Sequence, residues 1–66
     1  MKNYEIGSKI KEYRETARLS QAALARKIGV TPDQISNYEA NKRNMNIQRF
    51  IALCEALHVE MVEMLN

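Results

Sequence analysis

Residues 25–43 read ARKIGVTPDQISNYEANKR. Gly29, one of only two glycines, stands where a helical pattern ought to continue, and Pro32, the only proline, follows three residues later. Their placement together marks a sharp corner. Glycine reaches the left-handed conformation that ends a helix without a Cβ clash. TPDQ is then a start signal for the next helix. Thr31 can cap, Pro32 fits the first helical position, Asp33 suits the positive helix end, and Gln34 holds the capping-box position.

Working outward, Ser20 is a natural N-cap for a helix QAALARKI, with Leu24, Ala25 and Ile28 facing inward. Val30 follows the glycine as an apolar plug. Ile35 and Tyr38 are the inward pair of the next helix, which should end near Glu39 or Ala40, and Asn41 tolerates a left-handed turn. Neither helix is long enough to persist in water. Both must pack on the rest of the chain, and Ala25 has to be small for them to approach.

The flanking segments supply that packing. A first helix over roughly Tyr4 to Ala17 gathers Ile6, Ile10, Tyr13 and Ala17 on one face. Residues 41–46, NKRNMN, read as a loop. Asn46 can cap a fourth helix whose apolar stripe is Ile47, Phe50, Ile51, Cys54 and Leu57, broadened by Leu53. A short fifth helix, about Glu60 to Leu65, closes the chain. No strand alternation, repeat or linker appears. The expectation is an all-α, compact five-helix domain over residues 1–66, with a helix-turn-helix core at 21–40.

Totals limit the function classes. At 66 residues, burial on folding is modest, so a partner subunit could add to it. Cys54 is the only cysteine, which excludes an internal disulfide and a two-cysteine metal pair. No apolar run approaches the roughly 20 residues that cross a bilayer. The N-terminal segment does not read as a signal peptide, so the expected location is cytoplasmic. A net charge of +2 is small, but the first fifty residues carry the basic surplus, while residues 51–66 hold Glu55, Glu60 and Glu63 with no Lys or Arg. An anionic partner would meet the former part.

A pair of helices at such a corner suits the DNA major groove, roughly 12 Å wide, which accepts one helix. The outward residues of the third helix are Asp33, Gln34, Ser36 and Asn37. Gln and Asn can both donate and accept, matching the adenine edge; Asp accepts from cytosine; Ser suits several edges. Lys42 and Arg43 follow where a loop would run beside phosphates, and Gln21 with the first amides of the second helix forms another phosphate site.

Residues 6–65 resemble the Cro/CI-type (lambda repressor-like, XRE) helix-turn-helix family of phage repressors and bacterial transcriptional regulators. The core QAALARKIGVTPDQISNYEA carries the small Ala25, the turn Gly29 and apolar Leu24, Ile28, Val30, Ile35 and Tyr38. Ser20–Gln21, Leu24–Ala25 and Ile35–Ser36 match characteristic pairs, as does Glu39 followed by Asn41, Lys42 and Arg43. The resemblance implies base contacts from Asp33, Gln34, Asn37, Ser36 and Pro32. It implies phosphate contacts from Ser20, Gln21, Asn41, Lys42, Arg43 and Asn44. Arg14 and Glu39 look like a structural ion pair between the first and third helices. Pro32 lacks a donor, so at most it offers apolar contact, and Asn41 replaces a more usual glycine. The resemblance is to a minimal Cro-sized regulator or a restriction–modification controller, without the large C-terminal domain of longer repressors.

The expected function is therefore sequence-specific binding of double-stranded DNA as a homodimer on a palindromic operator, controlling transcription as a repressor or controller. Met61, Val62, Met64 and Leu65 exceed what a short helix can bury, which makes the tail, 60–66, the expected dimer contact. RNA polymerase or another protein is a further candidate partner; a membrane is not. The alternative is an antitoxin or adaptor that works mainly through protein–protein interaction. Other residues have plainer readings. Tyr38 fills the core, Cys54 is a small buried hydrophobe, and His58 lacks companions at metal-ligand spacing. No cofactor is expected, and no acid–base constellation points to an enzyme.

Overall fold

The computed structural model describes the backbone of residues 3–41 and 45–65, and side chains from residue 6 onward within those ranges. Lys42, Arg43 and Asn44, expected to contact phosphates, lie outside the described residues. So do the side chains of Met1 and Tyr4. Five helices follow in order: α1 (Asn3–Thr16), α2 (Gln21–Ile28), α3 (Pro32–Glu39), α4 (Ile47–Leu57) and α5 (Met61–Leu65). There is no strand among the described residues.

Local chemistry sets the ends of these helices. Ser20 Oγ accepts from the Ala23 amide at 3.0 Å, Thr31 Oγ1 from Gln34 at 3.2 Å, and Asn46 Oδ1 from Arg49 at 2.7 Å. Each satisfies an amide that the helix itself leaves unpaired. Gly29 ends α2 at φ 74°, and the Val30 amide closes back on the Ala25 carbonyl at 3.0 Å. Among the described residues beyond its own chain neighbours, nothing lies within 4 Å of where a Gly29 Cβ would stand, so the left-handed backbone is what calls for glycine there. The same ending recurs without glycine. Arg18 at φ 61° is followed by a Leu19 amide bound to Arg14 O, and His58 at φ 58° by a Val59 amide bound to Cys54 O. Leu19, Val30 and Val59, each just past the left-handed residue, all pack against the core.

That core comprises Ile10, Leu24, Ala25, Ile35, Tyr38, Phe50, Leu53, Cys54, Leu57 and Met64. α2 and α3 pack on one another, α1 on α3, α4 and α5, and α2 on α4. Burial raises the Cys54 thiol, so it stays protonated and behaves as the small apolar side chain its stripe suggests. Several expectations are corrected. Ile47 and Ile51 are exposed rather than core, because Phe50, Leu53, Cys54 and Leu57 form the inward row and an i, i+4 pair beside it is rotated off. Ala17 lies beyond the end of α1 and is exposed. Met64, expected at a dimer contact, has no exposed surface: α5 rests on α1 and α4, which directs this residue inward.

One polar cluster holds α3 in place. Arg14 Nε donates to Glu39 Oε2 at 2.6 Å and Nη2 to Oε1 at 3.3 Å, while Nη1 donates to the Leu19 carbonyl at 2.8 Å. Gln21 Nε2 donates to Glu39 Oε1 at 3.0 Å. The two ionic side chains are only 10% and 5% exposed. The hydrogen bond to Glu39 holds the Arg14 guanidinium above its already high range, so the cation is permanent. Next to this cluster, α1 and α3 come into close approach at Gly7. A Cβ on Gly7 would lie 2.6 Å from the Glu39 carbonyl oxygen and 2.7 Å from the Asn41 side-chain amide.

Four variants test this account by urea or thermal denaturation. Glu39→Ala should destabilise by about 3 kcal/mol, since it leaves a buried guanidinium unpaired; the double change Arg14→Met, Glu39→Leu should recover much of that loss. Gly7→Ala should destabilise by roughly 1–3 kcal/mol despite the better helix propensity of alanine, because backbone must move. His58→Gly should stabilise by about 0.5–1 kcal/mol by relieving the left-handed side chain.

Candidate nucleic-acid interface

α3 is only eight residues long, yet its two faces differ sharply. Ile35 and Tyr38 are buried on the inner side. Positions 33, 36 and 37 share the outer side by the i, i+3, i+4 rule. Asp33 and Ser36 are exposed there, and Asn37 is partly exposed. Pro32 stands exposed at the first helical position, and Gln34 lies half-covered on the flank. The helix thus presents a short polar ridge with one carboxylate.

Among the described residues, the side-chain hydrogen bonds at the leading end of α3 go to its own cap, whereas its trailing end is held by other helices. Thr31 and Gln34 form a reciprocal capping box. Thr31 N–H donates to Gln34 Oε1 at 3.0 Å, and the Gln34 amide donates back to Thr31 Oγ1. Thr31, Pro32 and Asp33 are all exposed. At the other end Glu39 is pinned by Arg14 and Gln21, so the first residues of α3 project from a fixed base.

Around this ridge lie residues expected to meet phosphates. Ser20 is exposed; its oxygen accepts from Ala23, which leaves the hydroxyl proton free to donate outward. The Gln21 side chain is turned inward to Glu39, with one of its two N–H donors engaged there. Asn41, at φ 59°, follows α3, and its side chain lies over Gly7 rather than extending from the body. Arg26 and Lys27 are exposed in the last turn of α2. Among the described residues, no three His, Cys, Asp or Glu side chains gather where they could hold a metal ion. No helix among them is long and apolar enough to cross a membrane.

Two residues that hold the site in shape have no role in the sequence reading. Gly7 lets α1 reach the end of α3; a glycine inside YEIGSKI, where alanine would favour the helix, was its signal. Arg49, in the first turn of α4, extends Nη1 to the Ile28 carbonyl at 3.4 Å and bridges to the end of α2. Its Nε is buried without a hydrogen-bond partner among the described residues. No local pattern marks Arg49 for this position.

The comparisons agree with this geometry. A family model described as helix-turn-helix matches residues 10–64. SinR, the master regulator for biofilm formation, solved in complex with DNA, is 34% identical, covers 92% of this chain and 98% of its own, and superposes with a TM-score of 0.85. The restriction-modification controller protein C.AhdI from Aeromonas hydrophila is 28% identical with 92% of each chain covered and a TM-score of 0.88. The P22 c2 repressor, solved with synthetic operator 9T, is 29% identical with 89% of each chain covered and a TM-score of 0.83. No match was found among curated protein sequences. With the family model spanning most of its length, this chain belongs to the helix-turn-helix family of Cro/CI-type DNA-binding regulators.

Proposed function

We propose that this protein is a transcriptional regulator that binds a palindromic double-stranded DNA operator as a homodimer, with the start of α3 in the major groove. The observation that carries the reading is the asymmetry of α3. Its trailing end is immobilised by a buried ion pair, while its exposed first turn and outer face offer Asp33, Ser36 and Asn37 to the outside. A groove-reading helix needs both properties: a fixed angle and an uncovered first turn.

Roles follow from chemistry. Asn37 is the adenine-reading candidate and Asp33 the acceptor for a cytosine amino group. Pro32 contributes apolar contact at most. Ser20, the second N–H of Gln21, and the Lys42–Asn44 loop with Asn41 are assigned to the phosphates, which supply affinity without sequence preference. Similar structures solved with an operator or with DNA, the P22 c2 repressor and SinR, support the partner class.

The dimer assignment rests on exposed apolar side chains. Met61 is 37% exposed, Val62 57% and Leu65 44%, while Met64 belongs to the protomer core. A second copy covering Met61, Val62 and Leu65 would remove that surface from water. The same residues are what an adaptor or antitoxin would use to hold a different protein. Salt separates the two: binding through several phosphates weakens steeply as salt rises, and a mainly apolar contact does not.

Two experiments test the proposal. In a selection from random DNA, Asn37→Ala should lose roughly 1–3 kcal/mol at a preferred site and relax the preference there, whereas Lys42→Ala should weaken binding to all sequences and flatten the salt slope by about one. Equal losses for Asn37→Ala on random DNA would exclude base reading. In sedimentation equilibrium, Val62→Lys should shift the protein to monomer and lower operator affinity; an unchanged dimer would move the interface elsewhere.

A further inference from the structure

We propose that Gln34 meets DNA as a hydrogen-bond donor only, so that it selects an acceptor edge, guanine above all, and not adenine. The inference rests on the DNA-binding reading and sharpens it at one residue.

A free glutamine amide offers both an oxygen and an NH2 group, which is how it matches adenine, whose N6 donates and N7 accepts. Gln34 is not free. Its Oε1 accepts from the Thr31 backbone N–H at 3.0 Å and lies 3.4 Å from the Thr31 hydroxyl. The orientation of the amide is fixed by chemistry: a backbone N–H needs an acceptor, so oxygen must face Thr31. The opposite amide, Gln34 N–H to Thr31 Oγ1, closes the box at 3.2 Å. What remains for a partner is Nε2 with its two donors.

The constraint is difficult to escape. Turning the amide around would set NH2 against the Thr31 N–H, donor against donor. Swinging the side chain away would open the cap of a helix barely two turns long, in a protein where that helix must hold its angle. Asn37, in the middle of α3, has no cap to serve and keeps both donor and acceptor. The two amides of α3 therefore divide the reading: Asn37 suits adenine, and Gln34 suits O6 and N7 of guanine or, with a single contact, O4 of thymine.

Gln34→Glu is the decisive variant. A carboxylate oxygen can still accept from Thr31, so the capping box survives and the thermal midpoint should not fall. The outward group changes from donor to acceptor. Wild type and variant are each put through selection on a randomised half-site library, with affinities measured on the wild-type site. Wild type should enrich guanine (or thymine) at one position. Gln34→Glu should lose about tenfold or more on that site, shift that position toward cytosine, whose N4 donates, and leave the position read by Asn37 unchanged. Adenine at the position altered by the variant, or an unaltered profile, would overturn the proposal. A uniform loss on every sequence would place the donors on phosphate and overturn the base preference. If wild type selected no sequence at all, the operator reading itself would fall, a result distinct from a selected site indifferent to Gln34→Glu.

Discussion

Everything the third helix does depends on one buried carboxylate. Glu39 sits at the C-terminal end of α3, where the helix dipole disfavours a negative charge. It remains there because Arg14 and Gln21 converge on it from α1 and the start of α2. Without it, Ile35 and Tyr38 alone would seat an eight-residue helix, and two apolar side chains one turn apart define an axis about which a helix can still roll. The polar contact at the far end removes that freedom. α2 and α3 are thus joined twice, by the Gly29–Val30 turn at one end and by Gln21–Glu39 at the other. Arg14 also holds the Leu19 carbonyl, which fixes the entry into α2 from the same centre.

This arrangement changes how the charge of the chain should be read. By sequence, residues 1–20 hold five Lys and Arg. One of them, Arg14, is buried and neutralised in place, and farther on Arg49 leans over the end of α2. The cations left on the surface are fewer than the count suggests. On the proposed reading, affinity for an anionic backbone would draw on Lys42 and Arg43 and on uncharged donors such as Ser20 and the helix-start amides. A surface of that kind discriminates well only if its geometry is rigid, because neutral donors act at short range. Rigidity is what the Glu39 cluster and the Gly7 contact provide.

How much of this was legible depends on the range of the interaction. Helix starts at Ser20, Thr31 and Asn46 were readable because a cap and the amide it serves are three residues apart. The turn at Gly29 was readable because glycine advertises a left-handed backbone. The similar turns at Arg18 and His58 were not, since arginine does not signal positive φ and the preference of histidine for it is faint beside that of glycine; the apolar Leu19 and Val59 beyond them were the further hint. The division of α4 into buried Phe50, Leu53, Cys54 and Leu57 and exposed Ile47 and Ile51 required knowing which side α2 occupies. The inward turn of Met64 required knowing where α5 lands. Both are facts of tertiary packing, and hydrophobic content along a helix does not encode the direction of its neighbours.

The exposed apolar residues follow from the same economy of size. A small domain has few surfaces on which to close a core; with Met64 directed inward, Val62 and Leu65 face away from it, and Met61, one turn before Met64, stays partly exposed at its edge. Filling the core more completely with so short a helix would need residues it does not have. Association through that side would therefore add burial the protomer cannot obtain alone, and would stabilise the fold by mass action. It would also set the separation of two α3 helices through elements packed directly against α1, the helix that supplies Arg14. On the proposed reading, subunit contact, fold stability and the angle of the reading helix are coupled through one small body, so that a weakness in any of them is felt in DNA recognition.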